Sequence, residues 1–188
     1  TETGTLAIAE PSLVRRMAGG GGKPLPGVYA EIIDDTDRPL PAGEVGALRV
    51  NSQGMMQSYI GEPAESARAF RDGWFYTGDL AEFTPGGELI HHGRADDMMI
   101  ADGINIYPAE IEAALVDHPS VAEAAAFLII SAIRGDIPAA AVVTKSPVSE
   151  QDWFDYCRSR LGTRAPKRLR ILPELPRNAA GKIRRRRC

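Results

Sequence analysis

Between Gly19 and Arg94 glycine and proline recur so often that only Glu62 to Phe70 is left as a candidate helix. The remaining segments are of strand length. Val28 to Ile33 and Gly46 to Val50 are two of them, with Pro41-Ala42-Gly43 as a turn between. Trp74 to Phe83 and Glu88 to His92 read as a hairpin around Thr84-Pro85-Gly86-Gly87. The run Gly19 to Gly22, followed by Lys23-Pro24-Leu25-Pro26-Gly27, reads as a loop. Short strands separated by regular turns predict a small β-barrel-like or sandwich subdomain.

After Arg94 the pattern changes. Pro108 opens a helix, where its fixed φ and missing N–H cost nothing. Glu110 and Glu112 occupy the first turn, where the helix dipole favours acids. Ile111, Ala114 and Leu115 form the apolar stripe, and His118-Pro119 ends it. Val121 to Ile130 and Ala139 to Thr144 read as strands. Ser149 caps a second helix, with Asp152 in the capping-box position and Trp153, Phe154, Cys157 and Leu161 on the buried face. Leu169 to Leu172 is a last strand. The expected organisation is α+β: a β-barrel-like subdomain over residues 1–94, then a compact α+β domain over residues 95–188, with the boundary near Arg94 to Asp97.

The composition is that of a soluble globular chain, with 44% hydrophobic and 25% charged residues. No apolar run approaches the roughly 18 residues that a membrane-spanning helix needs. Thr1-Glu2-Thr3-Gly4 has no initiator Met, basic region or signal core, so the chain is expected to start partway through a longer protein. Cys157 and Cys188 form no disulfide framework and have no zinc-ligand spacing, which makes a reducing, cytoplasmic location the default. His91 and His92 alternate faces on a strand and are poorly placed to share a metal.

The net charge of −3 hides an asymmetry: from Arg158 onward there are 12 Lys or Arg residues and one acid, Glu174. Such a tail either binds phosphates or is a solvated basic end. Arg184 to Arg187 also reads as a nucleic-acid or nuclear-address motif, but no interleaved aromatics support it, and no nucleic-acid partner is expected. Arg134-Gly135-Asp136 matches an adhesion motif, which chance explains better in a chain of this character.

Three constellations carry chemistry. Gly73-Trp74-Phe75-Tyr76-Thr77-Gly78-Asp79 ends in a polar turn where Asp79 can accept two hydrogen bonds from a vicinal diol, or simply cap its own turn. Gly93-Arg94-Ala95-Asp96-Asp97-Met98-Met99-Ile100 is followed by Gly103-Ile104-Asn105-Ile106-Tyr107-Pro108-Ala109-Glu110-Ile111-Glu112. There Arg94 can grip a ribose or phosphate oxygen and the paired acids can mark a hinge. The same stretch is equally a salt-bridged linker running into a capped helix. Pro176-Arg177-Asn178-Ala179-Ala180-Gly181-Lys182-Ile183 places Lys182 beside a glycine, suited to charge developing on a carboxylate and phosphate, or else solvated in a basic tail.

Taken in this order, these motifs resemble the adenylate-forming superfamily of acyl-CoA synthetases, peptide-synthetase adenylation domains and luciferases. The resemblance covers nearly the whole chain. Thr1-Glu2 is similar to the end of the family's Tyr-Gly-x-Thr-Glu motif. Gly22-Lys23-Pro24-Leu25-Pro26-Gly27 matches its Gly-x-Pro-x-Pro-Gly stretch. Ser58-Tyr59-Ile60-Gly61-Glu62-Pro63 matches Gly-Tyr-x-x-x-Pro, with Ser58 replacing Gly.

The resemblance implies ATP-dependent activation of a carboxylic acid, possible only in the complete protein. An acyl-adenylate forms, pyrophosphate leaves, and a thiol, usually of coenzyme A, displaces AMP. It gives Glu2 a share in holding Mg²⁺, Asp79 the ribose hydroxyls of ATP or AMP, and Arg94 a further nucleotide contact. Asp96 becomes the hinge of a rotating C-terminal domain, Gly103 a small residue lining the coenzyme A channel, and Lys182 the catalytic bridge between carboxylate and nucleotide. The family's phosphate loop and most of its large N-terminal domain, which holds the acyl pocket, are absent, so this chain alone is expected to be inactive. The basic alternatives are an adenylation domain that loads a carrier protein and a non-catalytic, ligase-derived binding module.

Overall fold

A computed structural model of the chain describes residues 2–12, 19–131, 135–179 and 181–184. Thr1, Arg134, Ala180 and 185–188 lie outside them, and with them the adhesion motif as a whole, most of the Arg184 to Arg187 run, and Cys188. The fold is α+β and divides into two compact units, Thr1–Asp96 and Asp97–Cys188.

The first unit is one curled antiparallel sheet. Its strands are β1 (Ala7–Ile8), β2 (Gly20–Pro24), β3 (Val28–Ile33), β4 (Gly46–Ser52), β5 (Phe70–Arg71), β6 (Trp74–Phe83) and β7 (Leu89–Arg94). The order is β1-β2-β7-β6-β4-β3, with β5 paired to the start of β6. Three residues, Leu25 to Gly27, join β2 to β3. Those three span at most ~10 Å. The strands they join lie near opposite ends of the sheet order, so the sheet must curl to bring them together. The barrel-like expectation is met in that form. Alternate residues of β4 define the two faces: Leu48 and Val50 are buried with Ile32, Ala81 and Leu89. Arg49, on the opposite face, donates through Nε to its register partner Glu31 at 2.9 Å and lies 4.7 Å from the Trp74 ring centroid. Helix α1 (Pro63–Ala69) falls within the predicted span.

The Gly19 to Gly22 run departs from expectation: Gly20 to Pro24 form β2, held between β1 and β7. The glycines are there for close approach. A Cβ on Gly22 would stand 1.8 Å from the Ile8 carbonyl oxygen, and one on Gly19 would stand 2.0 Å from that of His91. Both residues have positive φ, 81° and 74°, which favours glycine on conformational grounds as well.

The second unit contains a three-stranded sheet ordered β10 (Val121–Ser131), β11 (Gly135–Thr144) and β12 (Arg168–Ile171). A two-stranded hairpin, β8 (Met99–Ala101) and β9 (Ile104–Ile106), and helices α2 (Pro108–Val116) and α3 (Glu150–Leu161) complete it. β10 and β11 are longer than the sequence predicts. The apolar residues after Phe127 continue the strand, so that Leu128 pairs with Pro138 and Ile129 with Ile137. The Pro138 carbonyl accepts from the Lys167 N–H at 2.8 Å, one residue ahead of the first β11–β12 register pair, Ala139 with Arg168.

α3 starts where Ser149 accepts the Asp152 N–H at 3.1 Å. Its Trp153 and Cys157 are each only 1% exposed, and burial pushes the Cys157 thiol pKa up. Ile111 and Leu115 of α2 are fully buried, while Ala114 is half-buried. The sheet has two covered faces. Ala124, Ala126, Ala140 and Val142 pack with Met99, Ile106, Trp153 and the helices. Ala125 and Ala141 pack with Leu175, and Phe127, Leu172 and Ile183 join them.

Candidate functional site

In the first unit, Asp79 and Arg94 are register partners on β6 and β7. They are 15 residues apart in sequence, and only the hairpin brings them face to face. Arg94 Nη1 donates to the Thr77 carbonyl at 2.7 Å and lies 3.5 Å from Asp79 Oδ1; its Nε donates to Asp96 Oδ1 at 3.3 Å. The Arg94 guanidinium therefore links Thr77, Asp79 and Asp96. Gly78 makes this possible: a Cβ there would stand 2.7–2.9 Å from the Arg94 guanidinium atoms, and its φ is 75°. The Thr77 hydroxyl donates to the Leu48 carbonyl at 3.0 Å and accepts the Asp79 N–H at 3.0 Å, which fixes the turn from inside the sheet. Asp79 is thus set by its backbone, while its carboxylate remains partly exposed, at 27%.

Glu2 is positioned by Tyr59. The Met56 N–H donates to the Glu2 carbonyl at 2.8 Å, and the Tyr59 hydroxyl donates to Glu2 Oε1 at 3.3 Å. The Glu2 backbone N–H, foremost, and the Tyr59 hydroxyl hold the Glu2 carboxyl below the usual carboxylate range. Burial and the neighbouring Glu2 and Glu65 charges push the Tyr59 pKa up, while Arg94 opposes them. An ionised carboxylate with one oxygen already oriented suits a hard divalent cation whose other ligands are phosphate oxygens and water. Among the described residues no group of three or more His, Cys, Asp or Glu could hold a metal alone.

His91 and His92 approach different carboxylates. His91 Nε2 is 3.5 Å from Asp79 Oδ2, and His92 Nε2 is 3.3 Å from Glu82 Oε1. Tyr59, Thr77 and His91 were not among the candidate residues. Tyr59 stands in a quoted motif and Thr77 directly precedes Gly78-Asp79, so both had a local signal. His91 had none, because its meeting with Asp79 depends on strand pairing.

In the second unit, Gly103 lies at the tip of the β8–β9 hairpin, where Asp102 and Gly103 both have positive φ, 52° and 76°. Two such residues define the tight turn that suits strand twist. The Asp102 carboxylate accepts from Lys167 Nζ at 2.6 Å. Lys182 is exposed, in a loop closed on itself. The Asn178 N–H donates to the Lys182 carbonyl at 2.8 Å, the Lys182 N–H donates to Asn178 Oδ1 at 2.9 Å, and the Gly181 N–H donates to the Asn178 carbonyl at 2.9 Å. Asn178 thus both pairs with Lys182 and caps the turn, a role that the contiguous motif could have signalled. Ile183 packs with the Ala125–Ala141 face, whereas the β8–β9 hairpin packs on the opposite face. Gly103 and Lys182 are therefore carried on opposite faces of one three-stranded sheet.

The family model for the C-terminal domain of AMP-binding enzymes matches residues 110–182. Among solved structures, o-succinylbenzoate CoA synthetase of Bacillus subtilis, in complex with its acyl-adenylate intermediate, superposes with a TM-score of 0.86. It is 34% identical, over 95% of this chain and 37% of that one. The chain belongs to the adenylate-forming superfamily and represents its C-terminal portion.

Two named relatives make the likeness more particular. The 2-succinylbenzoate–CoA ligase of Bacillus licheniformis is 37% identical over 98% of this chain. The long-chain-fatty-acid–CoA ligase of Escherichia coli O6:H1 is 35% identical over 99%. The chain spans 39% and 34% of the lengths of these two relatives.

Proposed function

We propose that this chain is the C-terminal part of an AMP-forming acyl-CoA ligase that works through an acyl-adenylate. The observation that carries this reading is the Asp79–Arg94 register pair, which sets a partly exposed carboxylate and a guanidinium side by side for a ribose. The CoA-ligase names of the two relatives support it. Residues 1–94 are the end of the large AMP-binding domain, and residues 95–188 are a mobile lid. The partner of both is the N-terminal portion of the same protein, which holds the acyl pocket. The complete protein works in the cytoplasm.

In the first half-reaction a carboxylate oxygen attacks the α-phosphorus of ATP and the bond to pyrophosphate breaks. The reactants are both anions and repel each other. Asp79 accepts from the two ribose hydroxyls and Arg94 holds the nucleotide beside it. The Lys182 ammonium lies between carboxylate and phosphate and offsets their charge. Glu2 takes part in holding Mg²⁺, which supplies further charge neutralisation at the phosphates. The second half-reaction needs a thiol at the same carbonyl. Rotation about Asp96 withdraws Lys182 and brings the opposite face of the small sheet, with Gly103, toward the thiol's approach. The placement of the two residues on opposite faces of that sheet supports this reading.

The test uses the complete protein with ATP and Mg²⁺. The acids are 2-succinylbenzoate, hexadecanoate, benzoate and acetate, each with and without coenzyme A, and adenylate and thioester are detected by mass spectrometry. A thioester that disappears in Lys182→Ala is the expected result. Adenylate without thioester would replace coenzyme A by a carrier-protein acceptor. Silence with every acid would leave the chain as a non-catalytic binding module.

A further inference from the structure

The Lys182 loop closes on itself through backbone bonds, but that closure does not fix it to the domain. Two contacts do. One is apolar: Ile183 packs with Ala125, Ala141 and Leu175. The other is a single side chain. Arg177 Nη1 donates to the Gly181 carbonyl at 2.9 Å, and its Nη2 pairs with Glu123 Oε2 on β10. Gly181 is the residue directly before Lys182, with φ of 77°.

One planar guanidinium thus spans from the rigid sheet to the peptide that carries the lysine. Glu123 is placed for this by alternation. It shares a strand face with Ala125 and Phe127, the face that the Lys182 segment covers. The ladder is irregular between Val121 and Glu123, and from Glu123 onward its pairing is unbroken.

We propose that Arg177, held by Glu123, is a positioning residue for Lys182 in acid activation and has no part in thiol transfer. Arg177 is 46% and Glu123 43% exposed, so the pair adds little to stability. Its effect is geometric. Without it the loop keeps its internal turn and its Ile183 contact but can pivot about that contact. A displacement of about 1 Å at a reacting group costs on the order of 100-fold in rate. The forked geometry matters, because a lysine at 177 presents one ammonium and cannot satisfy both acceptors in the plane that the guanidinium sets.

This inference rests on the proposed ligase function, and the experiment separates the two. The complete protein is assayed in two ways, using whichever acid of the panel above gives the largest wild-type rate. Pyrophosphate release measures adenylate formation. Conversion of presynthesised acyl-adenylate by coenzyme A measures the second step.

Arg177→Ala is expected to slow adenylate formation by about 10- to 100-fold while thioester formation stays within about twofold. Glu123→Gln, which keeps shape and removes charge, should show a smaller loss confined to the same step, and Arg177→Lys should recover only part of the rate. Lys182→Ala is the control. If it loses adenylate formation while Arg177→Ala retains it, the clamp is overturned and the ligase reading stands. If Lys182→Ala keeps full adenylate formation, Lys182 is not the bridge and the clamp falls while the ligase reading stands; if no acid reacts, the ligase reading falls and the clamp falls with it. Equal slowing of both steps by Glu123→Gln would also overturn the clamp, since it would mark a structural role only.

Discussion

The Asp79–Arg94 corner and the Lys182 loop are built by different means. The corner belongs to a β-ladder: both residues are strand positions, fixed by backbone pairing and by the Thr77 hydroxyl. Among the described residues, the loop has one isolated bridge, between Arg177 and Ile183, and otherwise turn bonds and two anchoring side chains. A ladder position is stiff because moving it disrupts neighbouring strands. A loop position can be carried as a unit and withdrawn. Under the proposed function, the group that would hold a nucleotide through both half-reactions suits the first, and the group that would be needed in one half-reaction suits the second.

Four substitutions would break or sharpen this contrast. Lys182→Ala in the complete protein should cost about 100- to 1,000-fold in adenylate formation, with no change in urea midpoint. A shifted midpoint would show that the loop is part of the fold's support. Gly22→Ala should do the reverse. It forces a Cβ onto the Ile8 carbonyl at positive φ, and should lower stability by about 3 kcal/mol in urea unfolding while leaving Lys182 chemistry alone. An unchanged midpoint would contradict the close β1–β2 approach. Asp79→Asn should weaken AMP binding by ~1.5–3 kcal/mol, measured by calorimetry, because the acceptor loses its charge; unaltered affinity would remove Asp79 from the nucleotide site. Ser149→Ala, far from either construction, should cost about 1 kcal/mol of stability and leave both half-reactions unaltered. An effect on either rate would show that α3 is coupled to a functional loop.

The same contrast governs what was legible in the sequence. Lys182 and its glycine stand in one contiguous motif, as do the starts of α2 at Pro108 and α3 at Ser149, where a local chemical reason precedes the helix. β3 was legible from Val28 to Ile33, bounded by turn residues on both sides. The β2 strand was not, because a run of glycines carries no alternation; only its neighbours' carbonyls reveal why side chains are excluded. The β8–β9 hairpin was missed because three-residue strands are too short for a pattern, although Asp102-Gly103 was a turn signal. The pairing of Asp79 with Arg94, of His91 with Asp79, and of Arg177 with Glu123 could not be read locally. Each depends on a register, which is a property of two segments at once.

β10 supplies alternate residues to two different coverings, one beneath the Lys182 loop and one beneath the Gly103 hairpin. A single inserted or deleted residue between Glu123 and Phe127 would exchange those coverings and leave each loop resting on the other's support. No local adjustment repairs that, since the period of a strand is two. Residues gained or lost at the Ser131 end alter only the reach of the hairpin. One strand therefore joins a stretch whose length is fixed by parity to a stretch free to drift in length, and the two should diverge among descendants of this chain at very different rates.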